Sequence, residues 1–253
     1  MTEQEKRAAL ELKRMTEESK RMVIFTGAGV STESGIPDFR SPGGFWTTHK
    51  PIDYSDFLAS KEMRRESWRR KIAAETEWGG ASPNRGHRAI AHLLSEGPAT
   101  CVITQNIDGL HQKSGVPDEK VIELHGNGTY AVCLRCNRKY QLGPIIEAFK
   151  LTDEPPVCSE CGGHIKTGTV SFGQPMPADA MREAQLETES ADLFLAAGSS
   201  LVVYPAAWFP AYAKECGARL VILNREATGL DDVADLVLNF DIGPTLGAAT
   251  GID

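Results

Sequence analysis

Short runs of apolar residues alternate along this chain with longer stretches in which apolar and polar residues are mixed at helical spacing. Runs of this length are typical of strands that are buried on both faces of a parallel sheet. Helices are expected between them, over 83–95, 178–189 and 206–216, and an amphipathic helix is expected over 3–20. The predicted strands are 22–26, 101–104, 121–124, 193–197, 220–223 and 236–238.

Two stretches interrupt this alternation. Residues 44–82 are rich in charges and have helical character, and residues 128–168 combine cysteines with polar turn residues. We expect these two stretches to pack together into a smaller, inserted domain. The rest of the chain is predicted to form a large Rossmann-like domain, an α/β fold with a doubly wound parallel sheet. That domain comprises residues 1–43, 83–127 and 169–253.

Four of the six cysteines form two Cys-x-x-Cys pairs, which 21 intervening residues separate. Two such pairs can present four thiolates in a tetrahedron, the ligand set of a closed, structural zinc site. The minor alternative is a redox dithiol. Charges around the pairs are nearly balanced, so this zinc ribbon lacks a basic face for nucleic acid. The predicted zinc ligands are Cys133, Cys136, Cys158 and Cys161.

The composition narrows the choice of partners and location. A net charge of -7 argues against a general nucleic-acid surface, because phosphate contacts need clustered lysine and arginine. The most apolar stretch, 193–209, is broken by Gly198 and Pro205, so no membrane span is predicted. The charged start of the chain predicts no secretory signal, and a reducing, cytoplasmic location is therefore expected. Cys101 and Cys216 lie beside apolar sequence and are expected to be buried thiols.

A glycine-containing turn directly follows the first predicted strand. Gly27 and Gly29 permit a sharp turn and the close approach of a phosphate group. An NAD-linked dehydrogenase would show a third glycine where this chain has Thr32, and Asp53 does not end a second strand. Taken alone, the turn is a weak indication of nucleotide binding, and an ordinary strand–helix turn is the alternative.

The segment GAGVSTESGIPDFRSPGGFW, over 27–46, resembles the NAD-binding signature of the sirtuins, the NAD-dependent protein deacylases. Further segments resemble the family in the same order: TQNIDGLHQKSG over 104–115, ELHG over 123–126, GTVSFGQPMP over 168–177 and GSSLVVYPAA over 198–207. The resemblance implies a bacterial-type enzyme with NAD as a consumed co-substrate and one structural zinc ion. It also implies acyl-lysine proteins or peptides as partners.

The resemblance also implies roles for individual residues. His125 is the expected general base, since an imidazole pKa of about 6.5 suits proton transfer at neutral pH. Asn106 is expected to hold the ribose that carries nicotinamide. Val170 and Phe172 are expected to line the channel for the acyl-lysine, and His111 is interpreted as structural. The expected NAD contacts are Gly27, Ala28, Gly29, Thr32, Asp38, Phe39, Arg40, Gln105, Ile107, Asp108, Ser199, Ser200, Asn224, Arg225, Asp241 and Ile242.

The implied reaction releases nicotinamide and transfers the acyl group from lysine to ADP-ribose. Transfer of ADP-ribose to a protein is the alternative within the family, while a dehydrogenase and a nucleic-acid-binding zinc ribbon are alternatives from other classes. Relatives that prefer acidic acyl chains have a Tyr-x-x-Arg pair in the helical insertion. The comparable stretch here, SWRRK over 67–71, has no tyrosine. Acetyl and other short neutral acyl groups are therefore the expected substrates, in preference to succinyl.

Overall fold

The computed structural model describes residues 1–38 and 50–253. The strands are β1 Met22–Thr26, β2 Ala99–Thr104, β3 Val121–Glu123, β4 Gly126–Cys133, β5 Lys139–Gln141, β6 Ile165–Thr169, β7 Leu193–Ala197, β8 Arg219–Leu223 and β9 Leu236–Leu238. The helices are α1 Glu3–Glu18, α2 Tyr54–Ala59, α3 Lys61–Trp78, α4 Arg85–Ser95, α5 Leu110–Lys113, α6 Leu142–Thr152, α7 Ala178–Ser190, α8 Trp208–Glu215 and α9 Ile242–Thr250.

Six strands form a parallel sheet in the order β3-β2-β1-β7-β8-β9. This confirms the predicted Rossmann-like α/β fold. The strand order reverses beside β1, which pairs with β2 on one side and β7 on the other. Open parallel sheets bind ligands at such a switch point, beyond the carboxyl ends of the strands.

The central strands are apolar throughout because both faces of the sheet are covered. Every residue of β1 and of β7 is buried. Successive side chains of a strand point to opposite faces. Ile24 therefore joins the core that contains α1, α4 and α9, whereas Phe25 joins the core that contains α7 and α8. The predicted amphipathic helix is confirmed, and its Leu12 and Met15 are buried in the first of these cores.

A second, antiparallel sheet has the order β5-β4-β6. Helix α3 packs against it through Trp68, which shares a hydrophobic cluster with Ala131 and Ile165. The Trp68 indole N–H donates to the Ile165 carbonyl at 3.2 Å. The helical stretch and the cysteine-bearing stretch therefore share one core. The helical stretch is two helices, because the Ser60 hydroxyl accepts from the Met63 N–H and begins α3.

The two cysteines outside the Cys-x-x-Cys pairs differ. Cys101 is buried in β2, and burial raises the pKa of its thiol to about 12. The prediction of a buried Cys216 is wrong, since that residue caps the end of α8 and is exposed. None of the described helices combines the length and apolar character that a membrane crossing requires.

Candidate active site

The carboxyl ends of the parallel strands open into a cavity of about 980 Å³. Its wall contains every described residue that was predicted to contact NAD or substrate, together with His125 and Asn106. The predictions for Phe39 and Arg40 lie outside the described residues. The structure thus brings together residues from seven separate segments, each of which follows a strand.

Main-chain contacts shape the turn that follows β1. The Gly27 N–H donates to the Ala197 carbonyl at 3.1 Å, and the Gly29 N–H donates to the Gly198 carbonyl at 2.8 Å. A Cβ atom on Gly29 would lie 2.7 Å from Gly198 Cα, so no larger residue fits there. Thr32 lines the cavity, and its hydroxyl donates to the Gly29 carbonyl at 2.9 Å. The two glycines therefore allow this turn to pack directly against Gly198 at the cavity wall.

The loop after β2 carries a fixed amide. Asn106 is 6% exposed, and its Nδ2 donates to the Gly27 carbonyl at 3.0 Å. Because a carbonyl can only accept, this bond sets the orientation of the amide and leaves Oδ1 as its acceptor end. Nearby, the Ser31 hydroxyl donates to Asp108 Oδ2 at 2.6 Å, and Gln105 Nε2 donates to the Ser199 hydroxyl at 2.8 Å.

His125 follows β3 and has a defined tautomer. Its Nδ1 lies 3.0 Å from the Gln105 carbonyl oxygen. Since that oxygen can only accept, Nδ1 carries the proton and Nε2 retains a basic lone pair. Burial lowers the pKa of His125 below its usual value of 6.5, and the bond to the Gln105 carbonyl opposes this shift. The imidazole in the cavity wall is therefore neutral at pH 7 and able to accept a proton.

The far end of the cavity, near β8, contains an ion pair and a helix start. The Arg225 guanidinium donates twice to Asp241 Oδ1, at 2.8 and 3.1 Å. Glu33 Oε1 accepts from the Gly243 N–H at 2.8 Å in the first turn of α9. The ion pair joins the segments after β8 and β9, and the bond to Glu33 joins the segment after β1 to the start of α9.

The segment predicted to hold the substrate is only partly extended. Strand β6 ends at Thr169, so only the first two residues of the segment 168–177 belong to a strand. The Val170 N–H still donates to the His125 carbonyl at 2.8 Å, which brings this segment beside the histidine. Phe172 lines the cavity and is 45% exposed. Beyond it the chain turns back, with the Gln174 N–H donating to the Ser171 carbonyl at 3.0 Å.

Helix α3 forms part of the cavity wall, which its charge pattern alone does not reveal and which only the family resemblance of residues 67–71 suggested. Arg70 and Lys71 both line the cavity. Each is paired one helical turn away, Arg70 Nε with Glu66 Oε1 at 2.7 Å and Lys71 Nζ with Glu75 Oε2 at 2.6 Å. Such pairs at i, i+4 are typical of solvated helix faces, and only the contact with the rest of the fold distinguishes this face.

The four predicted zinc ligands form one cluster, with all four sulfur atoms within 4.8 Å of one another. Cys133 Sγ lies 3.4 Å from Cys161 Sγ, and Cys136 Sγ lies 3.7 Å from Cys158 Sγ. Tetrahedral zinc with bonds of about 2.3 Å requires sulfur atoms about 3.8 Å apart, so the cluster fits the ion. None of the four cysteines lines the cavity, which indicates a structural zinc site.

Comparisons with known proteins agree with this geometry. The Sir2 family profile matches residues 27–205. The NAD-dependent protein deacetylase of Rhodopseudomonas palustris is 54% identical over 94% of this chain and 94% of its own length. NAD-dependent protein deacetylase 1 of Bradyrhizobium diazoefficiens is 56% identical over 94% of this chain and 93% of its own length. A Sir2 structure with deacetylated p53 peptide and 3′-O-acetyl-ADP-ribose has a TM-score of 0.86 and 38% identity, covering 96% of this chain and 98% of that one.

Removal of one thiolate should release the zinc and loosen the smaller sheet. We expect Cys158→Ser to lose its stoichiometric zinc and to lower Tm by roughly 10 °C, because metal binding contributes directly to the folding of such sites. Cys216→Ser, which changes an exposed thiol outside the cluster, is the matched control and should keep both. Metal content by mass spectrometry and thermal unfolding check the prediction. A fully zinc-loaded Cys158→Ser protein would contradict it.

Proposed function

Because this chain belongs to the Sir2 family, we propose that it is an NAD-dependent protein-lysine deacetylase that transfers the acyl group to ADP-ribose. One observation carries the proposal: the glycine-containing turn after β1 and a neutral histidine with a basic Nε2 line the same cavity. The names of its relatives and the product-bound Sir2 structure support the same chemistry.

We assign the wall of the cavity to successive parts of NAD. The diphosphate binds at the turn of residues 27–29 and at Thr32, which line the cavity because the two glycines let this turn pack against Gly198. The nicotinamide half lies against Asp38 and the loop of residues 105–108, and Phe39 and Arg40, which lie outside the described residues, stay predicted contacts of NAD. The adenosine half lies against Ser199, Ser200, Asn224, Arg225, Asp241 and Ile242.

When bound, NAD supplies a ribose carbon whose bond to nicotinamide breaks as the acyl oxygen of the lysine attacks. The protein residues orient the ribose, exclude water and transfer the proton. The Asn106 amide holds the ribose, and the cavity wall keeps water from the developing cation. His125 Nε2 accepts a proton from a ribose hydroxyl, which then adds to the acyl carbon. Hydrolytic collapse releases lysine and O-acyl-ADP-ribose.

The acyl-lysine side chain lies between Val170 and Phe172. Both residues line the cavity, and the backbone bond from Val170 to the His125 carbonyl brings this segment to the base. The partner is therefore an acyl-lysine protein or peptide.

The proposal includes two domains. The large one comprises 1–43, 83–127 and 169–253, and the small one comprises 44–82 and 128–168. The shared cluster around Trp68 supports this division. We also propose a cytoplasmic location, since a reducing compartment keeps the four ligand thiols available to zinc.

A direct assay tests the activity. Protein, NAD and an acetyl-lysine peptide should give nicotinamide, free-lysine peptide and O-acetyl-ADP-ribose in equal amounts, measured by chromatography and mass spectrometry. Nicotinamide release should require the peptide. A peptide that gains the mass of ADP-ribose would instead indicate transfer, and absorbance of NADH would indicate a dehydrogenase. Absence of all these products would overturn the proposal.

Replacement of the base should remove the activity. We expect His125→Ala to lower kcat for deacetylation by roughly 10²- to 10⁴-fold, the usual contribution of a general base. His164→Ala is the control, since His164 lies in the zinc ribbon and outside the cavity wall. Full deacetylation by His125→Ala would exclude the assigned role.

The pH dependence of kcat/KM should reflect the buried environment of His125. Burial disfavours the imidazolium form of His125, so the neutral base persists to lower pH than a free imidazole would. We expect kcat/KM to be constant near neutrality and to fall only as the pH drops below 6.5. The assigned environment would be contradicted if kcat/KM of the wild type fell on the acidic side with a midpoint above pH 6.5 and the residual activity of a His125→Gln variant did not show this fall.

The paired cations of α3 predict the acyl preference. Because Glu66 neutralises Arg70 and Glu75 neutralises Lys71, the wild-type enzyme should turn over acetyl-lysine peptide faster than succinyl-lysine peptide. Glu66→Gln leaves Arg70 without its carboxylate, so the succinyl-to-acetyl ratio of kcat/KM should rise up to about fivefold, the worth of a partly exposed ion pair. Glu62→Gln, on the same helix but outside the cavity wall, is the matched control. A wild-type enzyme that prefers succinyl would refute the preference.

A further inference from the structure

A line of buried polar side chains, connected by hydrogen bonds, ends at Asn106 and lies outside the cavity wall. The Asn106 N–H donates to Thr104 Oγ1 at 3.0 Å, and Thr26 Oγ1 donates to Thr104 Oγ1 at 2.8 Å. His111 Nε2 lies 2.9 Å from Thr26 Oγ1. Thr26, Thr104 and His111 are at most 2% exposed, and none of the three lines the cavity. The line therefore touches the loop that carries Asn106 without reaching a ligand.

The other end of the line is a pair of neighbouring imidazole rings, which are tilted by 58° relative to each other. The ring centroids of His87 and His111 are 5.2 Å apart. His87 Nδ1 accepts from the Asn84 N–H at 3.4 Å, so the proton of the neutral ring is on Nε2. Burial lowers the pKa of His87 to about 4 and that of His111 to about 3. Both rings are therefore uncharged at neutral pH, and His111 can form one directed bond to Thr26 without a buried charge.

Two hydrogen bonds hold Asn106. Its backbone N–H is held by Thr104, and its side-chain Nδ2 is held by the Gly27 carbonyl. A buried N–H that loses its acceptor is strongly disfavoured, so the loop would shift to find another partner. A small displacement of a group that orients a reacting ribose lowers the rate of the chemical step more than it lowers binding.

We propose that Thr104, Thr26 and His111 are positioning residues, which hold Asn106 in the orientation that the reaction requires. The inference rests on the proposed function, because it concerns the ribose-holding role of Asn106. It gives His111, which the sequence suggested to be only structural, an effect on the rate. The parallel backbone pairing of Thr26 with Thr104 persists without either hydroxyl, so the hydroxyls can be removed while the strands stay paired.

The test compares Thr104→Val with Thr104→Ser. Valine keeps the shape and removes the hydroxyl, whereas serine retains it. We expect Thr104→Val to lower kcat for nicotinamide formation by roughly tenfold, the usual effect of one lost hydrogen bond, while KM for the acetyl-lysine peptide stays within about twofold of wild type. Thr104→Ser should restore kcat to within about threefold of wild type. Thr245→Val is the matched control, because Thr245 is a buried threonine whose hydroxyl has no partner among the described residues.

A double-mutant cycle tests the connection to His111. If His111 acts through the threonines, Thr104→Val combined with His111→Leu should be no slower than Thr104→Val alone. Thermal unfolding is recorded for each variant. If His111→Leu does not fold, Thr26→Val takes its place in the cycle.

Three results would overturn the inference. They are an unchanged kcat in Thr104→Val, a serine variant no faster than the valine variant, and fully additive losses in the cycle. Wild-type protein that forms no nicotinamide with peptide and NAD would overturn the proposed function instead, so the two failures are distinguishable.

Discussion

Two main-chain turns in direct contact hold the centre of this molecule together. The turn after β1 lies against the turn after β7, and a Cβ on Gly27 would come within 2.6 Å of the Gly198 carbonyl oxygen. Gly198 itself has a φ of 67°, and a Cβ there would lie 2.5 Å from the Val30 nitrogen. Glycine is required on both sides of this contact. The contact joins the two strands at the switch point, and both turns line the cavity.

The rest of the site is aligned with this contact by the continuation of the sheet. Hydrogen bonds of the ladder extend one residue past the strand ends, from the Gln105 N–H to the Thr26 carbonyl at 3.0 Å and from the Leu124 N–H to the Thr104 carbonyl at 3.0 Å. The Gly198 N–H likewise donates to the Leu223 carbonyl at 2.9 Å. These bonds fix the positions of the side chains just beyond the strand ends. Residues that follow several different strands therefore meet in one cavity.

Features that depend on a few neighbouring residues were predictable from the sequence. The buried strands follow from uninterrupted apolar runs, and the thiolate cluster follows from the spacing of its cysteines. Features that depend on distant neighbours were not. The Arg70 face of α3 looks like any solvated helix face until the fold places it on the cavity. Cys216 is exposed although the nearby Ala213 and Ala218 are buried, a difference that the apolar pattern does not reveal.

The two histidines His125 and His111 show most clearly what the sequence alone cannot reveal, because their charge states do not distinguish their roles. Burial lowers the pKa of His125 and of His111 alike, so both are neutral at pH 7. The two histidines differ in which ring nitrogen is hydrogen-bonded within the fold. The Nδ1–H of His125 donates to a backbone carbonyl, so Nε2 remains available on the cavity side. In His111, by contrast, Nε2 is hydrogen-bonded to Thr26 within the core. One imidazole can therefore exchange a proton with a ligand, and the other can only hold its neighbours in place.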